Sequence, residues 1–354
     1  MHRIIRNNQL LLVARTWSNR SNNTDFQHFF NFFPGSINIT NKESFSWDNV
    51  FYRTLLRHAN HDGYSSLSVR LEWEVYKQVL THRPKIIHFW FADHDYHYAS
   101  YIAKLTGAKI VGNFFFSIEE FEKRMPSKQH LKKLDLITSS GKEQMEYLSE
   151  YVPKEKLAYL PLGVDTHIFK PIEQKLNGDN SQKILLHVGT NRRDFHTLKE
   201  VFIRLKRMYP NIRLEMVGGI NARELFSDVD DIIFHKFLSD HELVKVYQNA
   251  TLLILPLIEG GSSQTLNEAM ASGLPIVTNQ LPNLIDYIAE DAVLLSQVGD
   301  IDQMVQHCYQ LLTDQTKILV ASNRVREHVL QYDYKYVRKK IIKLYKDHFN
   351  YKID

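Results

Sequence analysis

Residues 251–278 read TLLILPLIEGGSSQTLNEAMASGLPIVT. An apolar run from Leu252 to Leu255 stops at Pro256, and a turn rich in glycine and hydroxyls follows: Glu259, Gly260, Gly261, Ser262, Ser263. The pattern predicts a helix from about Thr265 to Gly273 and a second strand from Pro275 to Thr278. Such a strand–loop–helix–strand unit points a helix N-terminus and backbone N–H groups at whatever lies over the sheet edge, which attracts phosphate. Glu259 and Glu268 bracket the loop, and carboxylates accept hydrogen bonds from ribose and hexose hydroxyls. A nucleotide sugar is the ligand class that uses all of these groups. A second reading of Thr265-Leu266-Asn267-Glu268 is a capping box, with Glu268 satisfying only an orphan amide.

Outward from this stretch, short apolar strands alternate with amphipathic helices, the pattern of parallel sheets in βαβ units. In the first half, strands are expected at Gln9–Ala14, Ile86–Phe91, Lys109–Phe116, Leu134–Thr138 and Leu157–Pro161. A helix over Ser68–His82 would place Leu71, Val75 and Val79 on one face, and another would start behind Ser140 and Glu143. Residues 166–182 turn polar and read as a linker. Strands then resume at Lys183–Val188, Arg213–Val217, Ile232–Phe234, Leu252–Leu255, Pro275–Thr278 and Val293–Leu295. Helices between them are expected at Asp194–Tyr209, at Asp240–Asn249 behind Ser239 and Glu242, and from near Asp300.

At 354 residues the chain exceeds what a single core usually fills, so two domains are expected. Its net charge of +4 is too mild to imply nucleic acid, and no zinc-finger or arginine-rich pattern suggests it. A single cysteine, Cys308, excludes an intramolecular disulfide and suits a reducing compartment. It lies on an apolar helix stripe and reads as core. No apolar run has the length of a transmembrane span, and MHRIIRNNQLLLVA reads as a strand rather than a signal peptide. A cytoplasmic protein, or one peripheral to the inner face of a membrane, is expected.

Several strings together resemble the retaining GT-B glycosyltransferases of family 4, also called group 1. In that family two glutamates flank a glycine-containing donor loop, as Glu259 and Glu268 do here, although this chain has one residue more between them. The resemblance implies that Glu268 binds the ribose, that Glu259 contacts the transferred sugar, and that amides of Gly260, Gly261, Ser262, Ser263, Gln264 and Thr265 hold the diphosphate. Pro161-Leu162-Gly163-Val164-Asp165-Thr166 with Phe169 and Pro171 resembles the family's interdomain hinge. The implied fold is α/β, with two Rossmann-like doubly wound domains facing a central cleft. Residues 1–165 would form the acceptor domain, 166–182 the linker and 183–325 the donor domain, with 326–354 a closing helix packed back on the first domain.

After the strand ILLHV come Gly189-Thr190-Asn191-Arg192-Arg193-Asp194. The family has a glycine here, then an arginine and a lysine that grip the diphosphate. Arg193 falls at the lysine's place, with Arg192 and Lys199 as neighbouring candidates; the alternative is two surface arginines beside a capping Asp194. Gly218-Gly219 resembles the turn near the nucleotide, and residues around Lys236–Leu238 the passage beside the base. The closing helix carries a basic face (Lys335, Arg338, Lys339, Lys340, Lys343), either a solvated surface or a contact for anionic lipid.

Asp93-His94-Asp95, with His97, matches the D-x-D metal signature of the other glycosyltransferase fold, GT-A. Its position after strand IIHFWF, far in sequence from the phosphate loop, favours instead helix capping by Asp93 or Asp95, or a place on the acceptor side for Asp93 and His94. No metal and no cofactor beyond the nucleotide-sugar co-substrate are expected. His88 reads as a packed core histidine. Where relatives carry a histidine near the reacting sugar, Val111-Gly112-Asn113-Phe114-Phe115-Phe116-Ser117 has phenylalanine, and Arg15-Thr16-Trp17-Ser18 replaces the usual glycine-rich turn. The expected activity is transfer of a hexose from a UDP- or GDP-sugar to a glycan or lipid-linked acceptor, in surface glycan or glycolipid synthesis. The alternatives are a non-catalytic partner subunit of the same fold and a nucleotide-sugar epimerase, for which Asp93–His97 would supply acid and base groups.

Overall fold

A computed structural model describes residues 3–16, 26–41, 50–172, 182–219, 222–236, 238–260, 263–286 and 288–353. Trp17 and Ser18, most of the expected linker, and Gly261 and Ser262 of the donor loop lie outside these residues. The chain divides into two units, Met1–Pro161 with Lys335–Asp354, and Leu162–Tyr334. The sequence pattern places these changes at 165 and 325.

In the first unit the strands are β1 (Arg3–Ile5), β2 (Leu10–Val13), β3 (Ile37–Ile39), β4 (Ile86–Phe89), β5 (Lys109–Phe114), β6 (Leu136–Ser139) and β7 (Leu157–Tyr159). Six of them form a parallel sheet in the order β3-β2-β4-β5-β6-β7. All four residues of β2 and of β4 are buried, as strands covered on both faces require. Helix Ser66–His82 packs Leu71, Val75 and Val79 against this sheet.

The N-terminal stretch is not one strand. The polar Arg6-Asn7-Asn8 breaks it into β1, a 3-10 turn at Asn7–Gln9, and β2. β1 pairs in parallel with the C-terminal strand Tyr351–Ile353, Arg3 opposite Tyr351. The single closing helix expected over 326–354 is also divided, into Gln315–Val329, a 3-10 turn at Leu330–Tyr332, and Tyr334–Phe349. Within the first unit, Tyr345 of the last helix is fully buried and its hydroxyl meets His88 Nδ1. Part of the basic face is engaged there too: Arg338 donates to Phe32 O at 2.5 Å, and Lys340 lies 4.3 Å from the centre of the Tyr159 ring.

The second unit contains β8 (Lys183–Val188), β9 (Ile212–Val217), β10 (Ile232–His235), β11 (Leu252–Leu255), β12 (Ile276–Asn279) and β13 (Val293–Ser296). They form a parallel sheet in the order β10-β9-β8-β11-β12-β13. Counted from β8 this is the 3-2-1-4-5-6 arrangement of doubly wound folds. Its winding reverses between β8 and β11, and ligands of such sheets bind beyond the strand ends at that point. Cys308 is fully buried on helix Ile301–Thr313, and burial pushes its thiol pKa up.

The segment 162–172 packs within the second unit. Val164 bridges to Asp333, whose carboxylate also accepts from the Thr166 hydroxyl. Arg326 donates to Thr166 O (2.9 Å), Phe169 O (3.0 Å) and Ala271 O (2.6 Å), while Phe169 meets the Tyr247 ring edge-on at 5.8 Å. Among the described residues, no helix is long and apolar enough to cross a membrane.

Candidate functional site

The ends of β8 and β11 are tied together before any ligand is considered. β8 ends at Val188, and Gly189 turns with φ +93, the left-handed region where a side chain would be strained. A Cβ on Gly189 would lie 2.8 Å from Arg193 Nη2, so the guanidinium occupies the space that glycine leaves. Arg193 donates to Val188 O (3.0 Å), Asn191 O (3.1 Å) and Thr265 Oγ1 (3.2 Å). Its backbone bridges Leu257 just past β11, and Asp194 N–H and Ile258 N–H close the join onto Pro256 O and Arg192 O. Asp194 also caps helix Phe195–Met208, accepting from Thr197 N–H at 2.9 Å.

Arg192 has φ +58, which sends its side chain away from that of Arg193. Its Nε lies 3.0 Å from Glu259 Oε1, and its Nη1 lies 3.4 Å from Gly260 O. Two residues from the expected set are thus brought into contact, and the adjacent arginines do different work. Lys199 points elsewhere along its helix, to Asp228 at 2.6 Å. Gly218, at the end of β9, abuts Gly189 and Thr190.

The donor helix runs Gln264–Ala271 with Ser263 at its N-cap. This corrects the capping-box reading. Glu268 lies in the second turn, too far along to reach back to the cap, and its Oε2 accepts from the Tyr247 hydroxyl at 2.8 Å. Glu268 is 4% exposed and Tyr247 fully buried. Burial, then the Glu268 charge, pushes the phenol pKa well up; Thr265 and the Arg193 charge act in the other direction. Gln264 and Thr265 stand in the first turn, where helix N–H groups lack intrahelical acceptors. The chain Arg193–Thr265, Tyr247–Glu268 links three separate segments. Tyr247 was not among the expected residues; it lies on helix Asp240–Asn249 as one of several apolar-face positions, and no local pattern marks it.

In the first unit the expected acceptor residues are enclosed. Asp93 and Asp95 lie inside the short helix Ala92–Asp95 and cap nothing. Asp93 is 1% exposed and accepts from Phe115 N–H at 2.8 Å; burial raises its pKa to about 7. Asp95 is held by Arg15 at the end of β2, through Nε at 2.8 Å and through Nη2. The D-x-D carboxylates are therefore used in separate internal contacts. The arginine that stands where a glycine-rich turn was expected is the partner of one of them. His94 packs edge-on against Phe116, with its pKa lowered by burial to about 3. His88 is a packed core histidine as expected, its Nε2 2.8 Å from Asn113 Oδ1. The helix expected behind Ser140 instead begins after Gly141, without a side-chain cap.

Residues 182–314 match the sequence model of the family described as Glycosyl transferases group 1. The MMP alpha-(1->4)-mannosyltransferase of Mycolicibacterium hassiacum is 28% identical over 189 residues, covering 50% of this chain and 45% of that protein. The sulfoquinovosyl transferase SQD2 of Arabidopsis thaliana is 28% identical over 200 residues, covering 51% of this chain and 38% of that protein. The chain thus spans about half, or less, of the length of the curated relatives it matches. A glycosyltransferase structure from Rickettsia africae superposes with a TM-score of 0.69 at 14% identity, covering 96% of this chain and 98% of that one. Anabaena Alr3699/HepE in complex with UDP and glucose superposes with a TM-score of 0.70 at 12% identity, covering 96% and 99%. The fold is GT-B, built from two Rossmann-like units.

Proposed function

We propose that this GT-B chain, whose residues 182–314 match the group 1 glycosyl transferases, is a retaining glycosyltransferase. It moves a hexose from a UDP- or GDP-sugar to a hydroxyl of a glycan or lipid-linked acceptor. The observation that carries the reading is that, at the winding reversal of the second sheet, Arg192 meets Glu259 and Gly260 while Arg193 meets Thr265 on the helix that carries Glu268. The names of the curated relatives, a mannosyl and a sulfoquinovosyl transferase, support a hexose-type donor.

On this reading the donor diphosphate lies against the first turn of helix Gln264–Ala271. The N–H groups of Gln264 and Thr265 and the helix dipole face its charge. Arg192 exchanges Glu259 for a phosphate oxygen, and Glu259 turns to the sugar hydroxyls. Arg193 is fixed by Val188, Asn191 and Thr265 and supplies positive charge without moving, so no reorganisation is needed as the leaving group gains charge. Glu268, oriented by Tyr247, accepts from the ribose. The anomeric carbon–phosphate oxygen bond breaks as the acceptor oxygen attacks from the same face, and the departing phosphate oxygen takes the acceptor proton. Protein donors and guanidinium charge stabilise the diphosphate without a metal ion.

Incubating the chain with UDP-, GDP-, ADP- and CMP-sugars, with and without hydroxyl acceptors, tests this. Transfer with retained anomeric configuration is expected for one donor. Stabilisation by nucleotide sugars with no turnover would indicate a binding subunit, and epimerised donor without acceptor would indicate an epimerase; either result rejects the transferase.

A further inference from the structure

Three histidines from separate segments meet in the first unit, which holds none of the residues assigned to donor binding. His61 follows helix Val50–Ala59, His97 follows the short helix Ala92–Asp95, and His130 lies in the 3-10 turn Gln129–Lys133. One ring nitrogen of each lies within 4.8 Å of the others. We infer that His61, His97 and His130 form a binding site for a divalent first-row transition ion, with Zn²⁺ as the probe.

The argument begins with unsatisfied groups. His61 is 5% exposed and His130 3% exposed, yet beyond backbone contacts with Asp93 and Ser127 neither ring has a hydrogen-bond partner, and His97 Nδ1 has none. Buried polar atoms are normally satisfied, so a cluster of orphans calls for an explanation. A shared cation would satisfy one nitrogen on each ring. The Asp93 carbonyl acts on His61 and the Ser127 carbonyl on His130, both favouring a ring N–H. Ligating imidazoles commonly direct their second nitrogen to such acceptors, which fixes tautomer and ring orientation.

Position is fixed independently. Glu72, on helix Ser66–His82, accepts the backbone N–H groups of His97, Tyr98 and Ala99, each at 2.8 Å, and also the Tyr64 hydroxyl. This holds the His97 segment to the helix. The His97 and His130 rings stack at 4.5 Å, and the Tyr64 and Tyr96 rings pack against the cluster. His97 is only partly buried and gives solvent a path to the site.

Imidazole donors select zinc, copper, nickel or iron over magnesium and calcium. With zinc–nitrogen bonds of about 2.0–2.1 Å, the rings must close by roughly an ångström, which leaves a fourth position for water. Arg15, Arg124 and Lys133 act on the histidines and oppose a cation, whereas the Glu72 carboxylate beside His97 favours one.

The test uses the full chain, stripped with chelator and dialysed. Calorimetric titration with ZnCl₂ should show one site, and Co²⁺ should give visible absorption of a site with imidazole ligands. His97→Gln and His130→Gln should each weaken the site roughly tenfold or more, whereas His241→Gln, on an exposed position of the second unit, should not. Circular dichroism reports folding of each variant, and because His97 is partly exposed, its variant decides if the His130 one does not fold. Failure of the wild-type chain to take up one equivalent of zinc would overturn the inference, as would unchanged affinity in folded His97→Gln. None of these readouts depends on transferase activity.

Discussion

At the scale of single residues, neighbours in sequence take opposite roles. Arg192 and Arg193 are indistinguishable as a string, and the sequence offers both as candidates. The left-handed φ at Arg192 sends one guanidinium to Glu259 and leaves the other beneath Gly189. Glu268 is legible in the sequence as a candidate site residue because it follows a glycine-rich turn. Tyr247, 21 residues earlier, is not, because only the packing of two helices brings it to 2.8 Å. His187 on β8 is a further internal group. It is fully buried, its Nδ1 lies 3.1 Å from Ile254 O, and burial followed by the Arg193 charge lowers its pKa to about 3. Below pH ~6.5 an unfolded chain protonates this histidine and the folded chain does not. Its contribution to stability therefore falls as pH falls from about 6.5 towards 3. Thermal melts at pH 7 and pH 5 should show a smaller loss for His187→Gln than for wild type. Parallel losses would contradict this burial.

At the scale of elements, the second unit follows its sequence closely. β8, β11 and helix Asp240–Asn249 lie within the expected bounds, because long apolar runs end at sharp polar or proline stops and Ser239 with Glu242 forms a capping box. The missed elements are those whose stability comes from a distant partner. β3 has three residues in an Asn- and Phe-rich tract and exists by pairing with β2; β1 exists by pairing with the C-terminal strand. Gly273 marks where the donor helix is fitted to the 162–172 segment. It has φ +63, and a Cβ there would lie 2.8 Å from Pro171 Cγ and 3.1 Å from Ser322 Oγ. Gly273→Ala combines backbone strain with a clash. It should cost about 1–3 kcal/mol, seen as a lower midpoint in urea with an unchanged slope. An unchanged midpoint would mean that the segment is not packed there.

At the scale of the whole molecule, alternating strand and helix made two parallel sheets legible, but not their strand orders. The order of the second sheet decides the site, because it makes β8 and β11 neighbours although 63 residues lie between Val188, where β8 ends, and Leu252, where β11 begins. The C-terminal residues belong to the first unit, where Tyr345 fills a core position against Phe33 and His88. Tyr345→Ala should cost about 3–5 kcal/mol and lower the melting temperature of the first unit; a loss below 1 kcal/mol would show that the helix is not docked there.

On the proposed function, a nucleoside diphosphate is held where β8 and β11 end, by amides, Arg192 and Glu268, without a metal ion. Calorimetric titration of UDP and GDP into the wild-type chain and Glu268→Gln, with EDTA throughout, tests it most directly. Hydrogen bonds to a charged group contribute about 1.5–3 kcal/mol, so one nucleotide should bind the wild type in EDTA and bind Glu268→Gln roughly 10- to 100-fold more weakly. Binding that vanishes in EDTA, or that is equal in the two proteins, would contradict the account.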